Sequence, residues 1–215
     1  MTLTEVLVVI IVLAVLIFIF LPNYLSNRPH PAYRSQCVNN LKQIGLAYRV
    51  WAGDHNDKFP MELSVTNGGT MGLADGRNAW INFFVMSNEL STPKVLICPL
   101  DTKSILATNW GRGFNNLNIS YFIGLNADQD HPHVFLSGDD NFTIGGFSVK
   151  SGLLELSTNI PIAWADTRHE MCGNIVLADG SVQLSNNGSV QLPNNSSLPN
   201  LLRQTGAATN RLAIP

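Results

Sequence analysis

Three residues in the last third of the chain, Asp166, His169 and Asp179, are of types that bind metals or transfer protons. A histidine with two carboxylates could form a metal or catalytic site if the fold brought them together. However, Asp179 precedes Gly180, and Asp-Gly is also what a tight hairpin turn requires for backbone reasons alone. No nucleophile lies in a recognisable catalytic motif, so we predict that the chain is not an enzyme.

A second group of polar residues, Asp54, Asn56 and Asp57, offers oxygen atoms of the kind that hard cations prefer. The glycine and the distal glutamate of an EF-hand loop are missing from this segment. A solvated loop is therefore the prediction here, and no metal or other cofactor is predicted for the chain.

The three cysteines, Cys37, Cys98 and Cys172, are too far apart in sequence for a zinc knuckle or a C-x-x-C redox pair. One disulfide with a leftover thiol and a set of buried free thiols are both compatible with this spacing.

Glu5 is the only formally charged side chain before Arg28, and it lies in the apolar stretch MTLTEVLVVIIVLAVLIFIFLPNYL. A carboxylate in apolar surroundings costs several kcal/mol unless it is paired or neutralised. If identical helices pack side by side with an axial offset, Glu5 of one chain can meet the amino group of Met1 on the next. A wrong register would leave both charges unpaired at ~3–5 kcal/mol, so this pair would set the register. The alternative is a glutamate that stays solvated near the end of the segment.

The apolar run from Val6 to Leu21 is 16 residues long, or 21 when counted from the first residue. A helix of that length just crosses a hydrocarbon layer of ~30 Å, which predicts a minimal membrane span within residues 1–25. Pro22, and then Pro29 and Pro31, are expected to interrupt this helix, because proline removes a donor and restricts the residue before it.

Helical periodicity resumes after the prolines, which predicts a second helical part over residues 26–53 whose apolar face packs on a sheet. The residues of that face are Val38, Leu41, Ile44, Tyr48 and Trp51.

Short apolar runs between turn residues follow, and they predict a β-rich head over residues 54–215. They begin at Val95, Ile119, Val134 and Ile160 and in the stretch GNIVLADGSVQL, residues 173–184. In that stretch a two-residue type I′ turn at Asp179-Gly180 would put Leu177 opposite Val182 and leave one face of the hairpin apolar. The fold class is therefore α+β, with an N-terminal apolar helix and a largely antiparallel sheet. The last residues, 196–215, carry few signals and are expected to cover a neighbouring subunit or to fray.

The N-terminal stretch TLTEVLVVIIVLAVL, with Pro22 and Tyr24, resembles the mature N-terminus of type IV pilins and of the pseudopilins of type II secretion. The resemblance implies that a prepilin peptidase removes a basic leader before Met1 and that the new amino group is methylated. It also implies that the helix holds the subunit in the inner membrane until an assembly machinery transfers it to an extracellular filament, or fimbrium. In that family the positions of Glu5 and Pro22 serve polymerisation.

Three further blocks resemble a group of pilin-like proteins abundant in planctomycete and verrucomicrobial genomes. They are CVNNLKQIGLAYRVWAGDHNDKFP at 37–60, ICPLD at 97–101, and His169 followed after nine residues by Asp179-Gly180, a signature interpreted as structural. Because Cys37 and Cys98 both lie in these blocks, the resemblance favours a disulfide between them.

The composition limits the partners. With 45% hydrophobic and 13% charged residues and a net charge of −2, the chain has no basic surface for nucleic acid. The predicted function is that of a structural subunit of a type IV pilus-like filament, a helical homopolymer whose main partner is itself. The alternatives are a minor pseudopilin of a type II secretion system and a membrane-tethered ligand-binding head.

Overall fold

The computed structural model describes residues 3–25, 30–73, 77–187 and 197–215. The chain divides into two compact units, residues 1–32 and residues 33–215. The first contains helix α1, Leu3–Leu25. This helix continues through Pro22 into its last turn, so the predicted interruption near Pro22 is wrong.

Across the described ranges, no helix is long and apolar enough to cross a membrane, which corrects the membrane span predicted for residues 1–25. The uninterrupted apolar run from Val6 to Leu21 has 16 residues, fewer than the ~20 that a spanning helix needs.

Helix α2, His30–Gly53, begins one residue before Pro31 and ends at residue 53, as predicted. Pro31 lies in its first turn, where a backbone N–H has no partner within the helix in any case. Pro29 lies outside the described residues. Most of the predicted apolar face of α2 is buried: Leu41, Ile44, Tyr48 and Trp51 are inaccessible or nearly so, whereas Val38 is half-buried.

The described residues of the second unit form nine strands, which with α2 confirms the α+β class and the largely antiparallel sheet. The strands are β1 Tyr121–Gly124, β2 Phe135–Asp139, β3 Phe142–Ile144, β4 Phe147–Ser148, β5 Gly152–Ser157, β6 Ile162–Trp164, β7 Cys172–Leu177, β8 Val182–Asn186 and β9 Thr209–Ile214. Short helices α3 Trp80–Val85, α4 Ser87–Leu90 and α5 Leu198–Gln204 join them, with 3-10 helices at Pro60–Glu62, Val65–Asn67, Pro93–Leu96 and Asn116–Asn118.

Six strands form one antiparallel sheet in the order β5-β9-β1-β2-β7-β8, and three form a small sheet in the order β4-β3-β6. The last strand, β9, lies between β5 and β1. The expectation that residues 196–215 fray or cover a neighbour is therefore wrong for the described part of this segment, which contributes α5 and an interior strand.

The large sheet is covered on both faces, and successive residues of its strands enter different cores. Tyr121 and Ile123 of β1 pack with α2, whereas Phe122 packs with the small sheet and α5. In β7, Val176 joins the first core and Ile175 the second. Burial on both faces explains why these strands read as continuous apolar runs rather than as alternating ones.

The β7–β8 hairpin exists as predicted, but its register differs by one residue. Val176 lies opposite Val182, and the Leu177 N–H donates to the Ser181 carbonyl at 2.9 Å, so the loop has three residues. Only Gly180 in this loop has a positive φ, of 83°, whereas a type I′ turn needs positive φ at both central residues. All six residues of β7 are buried, so both faces of this strand are covered, whereas Val182, Gln183 and Leu184 of β8 are half-buried.

The run at Val95 is helical, not a strand. It lies in the 3-10 helix Pro93–Leu96, which starts with proline, and the Thr92 hydroxyl accepts a hydrogen bond from the Lys94 N–H there. Proline suits the first position of a helix because its fixed φ is close to the helical value. The N–H group that it lacks would have no acceptor within the helix at that position.

Candidate functional site

Four side chains with metal-binding atoms meet between α2 and the large sheet, and we call them the four-residue cluster: Cys37, Cys98, Asp139 and His169. One ligand atom from each lies within 4.8 Å of all the others. The side chains of Asp139 and His169 are completely inaccessible to solvent, as are both cysteines. The cluster is thus a closed polar site inside an apolar core.

Each member of the cluster comes from a different element. Cys37 lies on α2, and Cys98 follows the 3-10 helix Pro93–Leu96. Asp139 is the last residue of β2, and His169 lies in the turn before β7. Because β2 and β7 are antiparallel neighbours, the last residues of β2 lie beside the first residues of β7 at the same end of the sheet.

The closest contacts run in a chain through the cluster. The Sγ atoms of Cys37 and Cys98 are 2.8 Å apart, and both cysteines are free thiols. Cys98 Sγ lies 3.4 Å from His169 Nε2, which lies 3.6 Å from Asp139 Oδ2. The disulfide expected between Cys37 and Cys98 stays a prediction, although the fold brings the two thiols into contact.

Asn174 on β7 fixes the carboxylate of Asp139. Oδ2 accepts hydrogen bonds from the backbone N–H of Asn174 at 2.8 Å and from its side-chain amide at 2.9 Å. The other oxygen, Oδ1, is buried and has no hydrogen-bond partner within the described residues, and the same holds for His169 Nδ1. Buried polar atoms usually have partners, so each of these two atoms requires an explanation.

The electrostatics of the cluster favour protonated groups. Burial alone would lower the pKa of His169, but the hydrogen bonds and charges of Asp139 and Cys98 outweigh it and raise the pKa to about 9. The contact with Cys37, together with burial, raises the pKa of the Cys98 thiol. A buried thiol with a raised pKa is a poor nucleophile, so Cys98 and His169 do not resemble a catalytic Cys–His pair.

Arg168, next to His169 in sequence, forms a second buried polar group. Its Nη2 donates to Asp101 Oδ2 at 2.7 Å, and its Nη1 lies 2.6 Å from Asp140 Oδ1. Burial opposes ionisation of both carboxyls. The guanidinium holds the pKa of Asp101 below its ordinary value, whereas burial prevails at Asp140 and raises its pKa to about 6.

A cleft of about 570 Å³ is lined by Arg168 and both of its carboxylate partners, and by Lys103 and Lys150. None of the four cluster residues lines this cleft. Because two carboxylates already neutralise Arg168, the guanidinium offers the cleft no spare positive charge.

The two ends of the His169 and Asp179-Gly180 signature lie apart, with β7 between them. Asp179 is exposed, and its carbonyl accepts a hydrogen bond from Arg49 Nη1 of α2 at 2.8 Å. A Cβ on Gly180 would lie 3.3 Å from Arg49 Cδ. Asp179 and Gly180 therefore hold the turn against α2, while His169 belongs to the cluster, and the described structure does not bring them into one site.

Asp166, Asp54, Asn56 and Asp57 are all exposed and lie outside the cluster. Asn56 and Asp57 both have a φ of 57°, so they form a left-handed turn after α2. Asparagine and aspartate tolerate this conformation better than most residues, which accounts for their presence in this turn.

The apolar side chains of α1 are exposed on every face of the helix. From Leu3 to Phe18 their exposed fractions range from 43% to 85%, and Glu5 is exposed as well. Met1 lies outside the described residues, so the pairing of Glu5 with the Met1 amino group of a neighbour stays a prediction.

Analysis of the sequence missed Asp139, because nothing local distinguishes it from the other aspartates of the chain. A signal for the cluster was nevertheless present. Cys37, Cys98 and His169, all of metal-binding types, lie in the three family-like blocks, one in each. Three such residues in separate blocks indicate a shared site more strongly than the spacing of the cysteines alone.

Comparison with known proteins yields no relative: no protein-family model, no curated protein and no solved structure matches the chain.

Proposed function

We propose that the chain is the structural subunit of a pilus-like extracellular filament and that it polymerises through α1. The observation that carries this proposal is the exposure of apolar side chains around the whole of α1, from Leu3 to Phe18. A helix that is apolar on all sides is stable only when it is covered on all sides. Copies of the same helix provide such cover in a bundle at the centre of a polymer.

Large exposed apolar surfaces mark interaction sites, and burying a valine, leucine, isoleucine or phenylalanine side chain completely is worth about 1.5–3 kcal/mol. The described part of α1 carries 13 such exposed large side chains, so its burial would supply a large driving force. A subunit that contacts its neighbours through two different surfaces forms an open helical array when the rotation between successive subunits does not close a ring.

Apolar packing alone does not select one axial offset between identical helices, because most offsets bury similar area. Glu5 supplies that selection in the proposal. At the offset that places its carboxylate beside the Met1 amino group of the next chain, both charges are satisfied. At any other offset they are buried unpaired, at about 3–5 kcal/mol.

The test is assembly of the full chain, purified in detergent and followed by sedimentation and negative-stain microscopy as the detergent is removed. Glu5→Gln and Glu5→Val should give little sedimentable fibre or fibres without a constant helical repeat. Glu155→Gln is the matched control, because Glu155 is exposed and its contact with Arg211 is a loose surface pair at 3.7 Å.

Fibres with the wild-type repeat from both Glu5 variants would contradict the role of Glu5. Failure of the wild-type chain to form fibres alone, with binding to the end of a polymer of another subunit, would favour the minor pseudopilin instead.

A further inference from the structure

We propose that the four-residue cluster, Cys37, Cys98, Asp139 and His169, is a structural metal site for a thiophilic divalent cation, and that Zn²⁺ is the ion it fits best. The site lies wholly in the second unit of the chain and does not depend on polymerisation through α1.

The ligand atoms of the cluster are of the types that bind zinc. Two thiol sulfurs, one imidazole nitrogen and one carboxylate oxygen are all zinc ligands, and four protein ligands complete a tetrahedral structural site. Calcium and magnesium prefer sites made of oxygen alone, so the two sulfurs disfavour them.

The distances between the ligand atoms fit a tetrahedral zinc site. Zinc–ligand bonds of ~2.0–2.3 Å place the ligand atoms of a tetrahedral site ~3.3–3.8 Å apart. The Cys98 Sγ to His169 Nε2 distance of 3.4 Å and the His169 Nε2 to Asp139 Oδ2 distance of 3.6 Å fall in this range. The Sγ atoms of Cys37 and Cys98, 2.8 Å apart, would separate by about 1 Å on binding.

Hydrogen bonds from a neighbouring residue orient the carboxylate ligand. Metal-binding carboxylates are commonly oriented by further hydrogen bonds, and Asn174 holds Asp139 with two. Both donors hold Oδ2, the oxygen that lies 3.6 Å from His169 Nε2, in place as the ligand, while the buried Oδ1 has no hydrogen-bond donor within the described ranges.

Burial defines the role of the metal. No cluster residue lines the cleft beside Arg168, and all four protein ligands are already in place, so no position is left for a substrate. The ion would instead connect α2 to segments far along the chain: Cys98 is 61 residues from Cys37 and 71 residues from His169. Linking such distant segments lowers the entropy of the unfolded chain.

Binding is an exchange of protons for the cation. Zn²⁺ displaces the two thiol protons and the proton on His169 Nε2, all three of which pass to solvent, and the imidazole then binds as the neutral base through Nε2. A dication with two thiolates and one carboxylate leaves one net negative charge in the site.

A disulfide between Cys37 and Cys98 is the competing state. Its formation joins the two Sγ atoms, releases two protons and passes two electrons to an external oxidant. A disulfide would involve both sulfurs but would not explain why Asp139 and His169 are buried beside them. The metal site accounts for all four residues together.

The experiment uses the full chain, purified with a thiol reductant, exposed to Zn²⁺, freed of excess metal and analysed by elemental mass spectrometry. We expect one zinc ion per chain. Replacement by Co²⁺ should give the visible bands of tetrahedral cobalt and a thiolate-to-cobalt charge-transfer band in the near ultraviolet.

Cys37→Ser and Asp139→Asn should each lower zinc affinity at least about tenfold in a chelator competition. Cys172→Ala is the matched control, since Cys172 is also a buried free thiol but lies outside the cluster, and it should bind zinc as the wild type does. Asp139→Cys keeps four ligands and should strengthen the charge-transfer band, which distinguishes ligand loss from misfolding.

Three results would overturn the proposal. The first is a reduced wild-type chain that takes up neither zinc nor cobalt. The second is wild-type affinity in both ligand variants. The third is a quantitative Cys37–Cys98 disulfide in protein isolated from cells.

Discussion

The guanidinium of Arg168 joins the carboxylate of Asp101 at 2.7 Å, although the two residues are 67 positions apart in the chain. The next residue, His169, contacts Asp139 instead. Two successive side chains in one turn thus serve two separate buried polar groups.

Arg168→Met should destabilise the protein strongly. It leaves the carboxyls of Asp101 and Asp140 buried without their cation, and we expect the free energy of unfolding to fall by about 3–5 kcal/mol in urea titrations. Arg211→Met is the control, because the pair of Arg211 with Glu155 is exposed at the surface, and it should cost less than about 1 kcal/mol. A loss below about 1 kcal/mol for Arg168→Met would show that the buried pairs contribute little.

Gly45→Val should disrupt the packing of α2 on the sheet. A Cβ at Gly45 would lie 2.8 Å from Val176 Cγ2, and a β-branched valine such as Val176 has little freedom to move away. We expect a loss of about 1–3 kcal/mol in thermal or urea unfolding. Gly53→Ala, where nothing lies within 4 Å of the new Cβ, should leave stability nearly unchanged. If Val176→Ala in the same chain does not restore part of the loss, the clash is not its cause.

Gly180→Ala should weaken the β7–β8 hairpin. The φ of 83° at Gly180 is unfavourable for a residue with a Cβ, and the expected loss is about 1–2 kcal/mol in the free energy of unfolding. Gly113→Ala provides the comparison, because Gly113 has neither a positive φ nor a neighbour within 4 Å of a new Cβ. Equal stability of the two variants would contradict the requirement for glycine at position 180.

Ile10→Lys should block filament formation while leaving the fold of the second unit intact. Ile10 is 61% exposed on α1, and a lysine there would be buried unpaired in the proposed polymer core. Ile105→Lys changes a side chain of similar exposure, 59%, in the second unit and should still assemble. Sedimentation and electron microscopy measure assembly, and thermal unfolding checks the fold. Normal fibres from Ile10→Lys would contradict burial of α1 in the assembly.

The N-terminal peptide of the assembled protein provides a test of processing. If the family resemblance extends to maturation, mass spectrometry of fibres should find a peptide that begins at Met1 and carries one additional methyl group on its amino nitrogen. A longer peptide, or an unmethylated Met1, would contradict the predicted processing.

The sequence predicted those parts of the fold that local patterns determine. The periodicity of Leu41, Ile44 and Tyr48 identified the buried face of α2, and the run at residues 173–184 identified a hairpin. Asp-Gly also favoured a two-residue turn, but the left-handed conformation is needed only at Gly180, and the resulting three-residue loop shifts the register.

The features that the sequence could not predict depend on contacts between distant segments. Strand β9 has an ordinary composition, and its central place depends on pairing with β5 and β1. Asp139 acquires its distinct environment only because β7 brings Asn174 to it. Val95 lies in an apolar run that fits a strand equally well, and the preceding Thr92 and Pro93 decide for a 3-10 helix.

The place of β9 has a consequence for synthesis. During translation, β1 and β5 leave the ribosome well before the strand that joins them, so each has an unpaired backbone edge until about residue 214 has emerged. The large sheet can therefore form completely only near the end of translation. Until then, a chaperone would have to shield the unpaired strand edges.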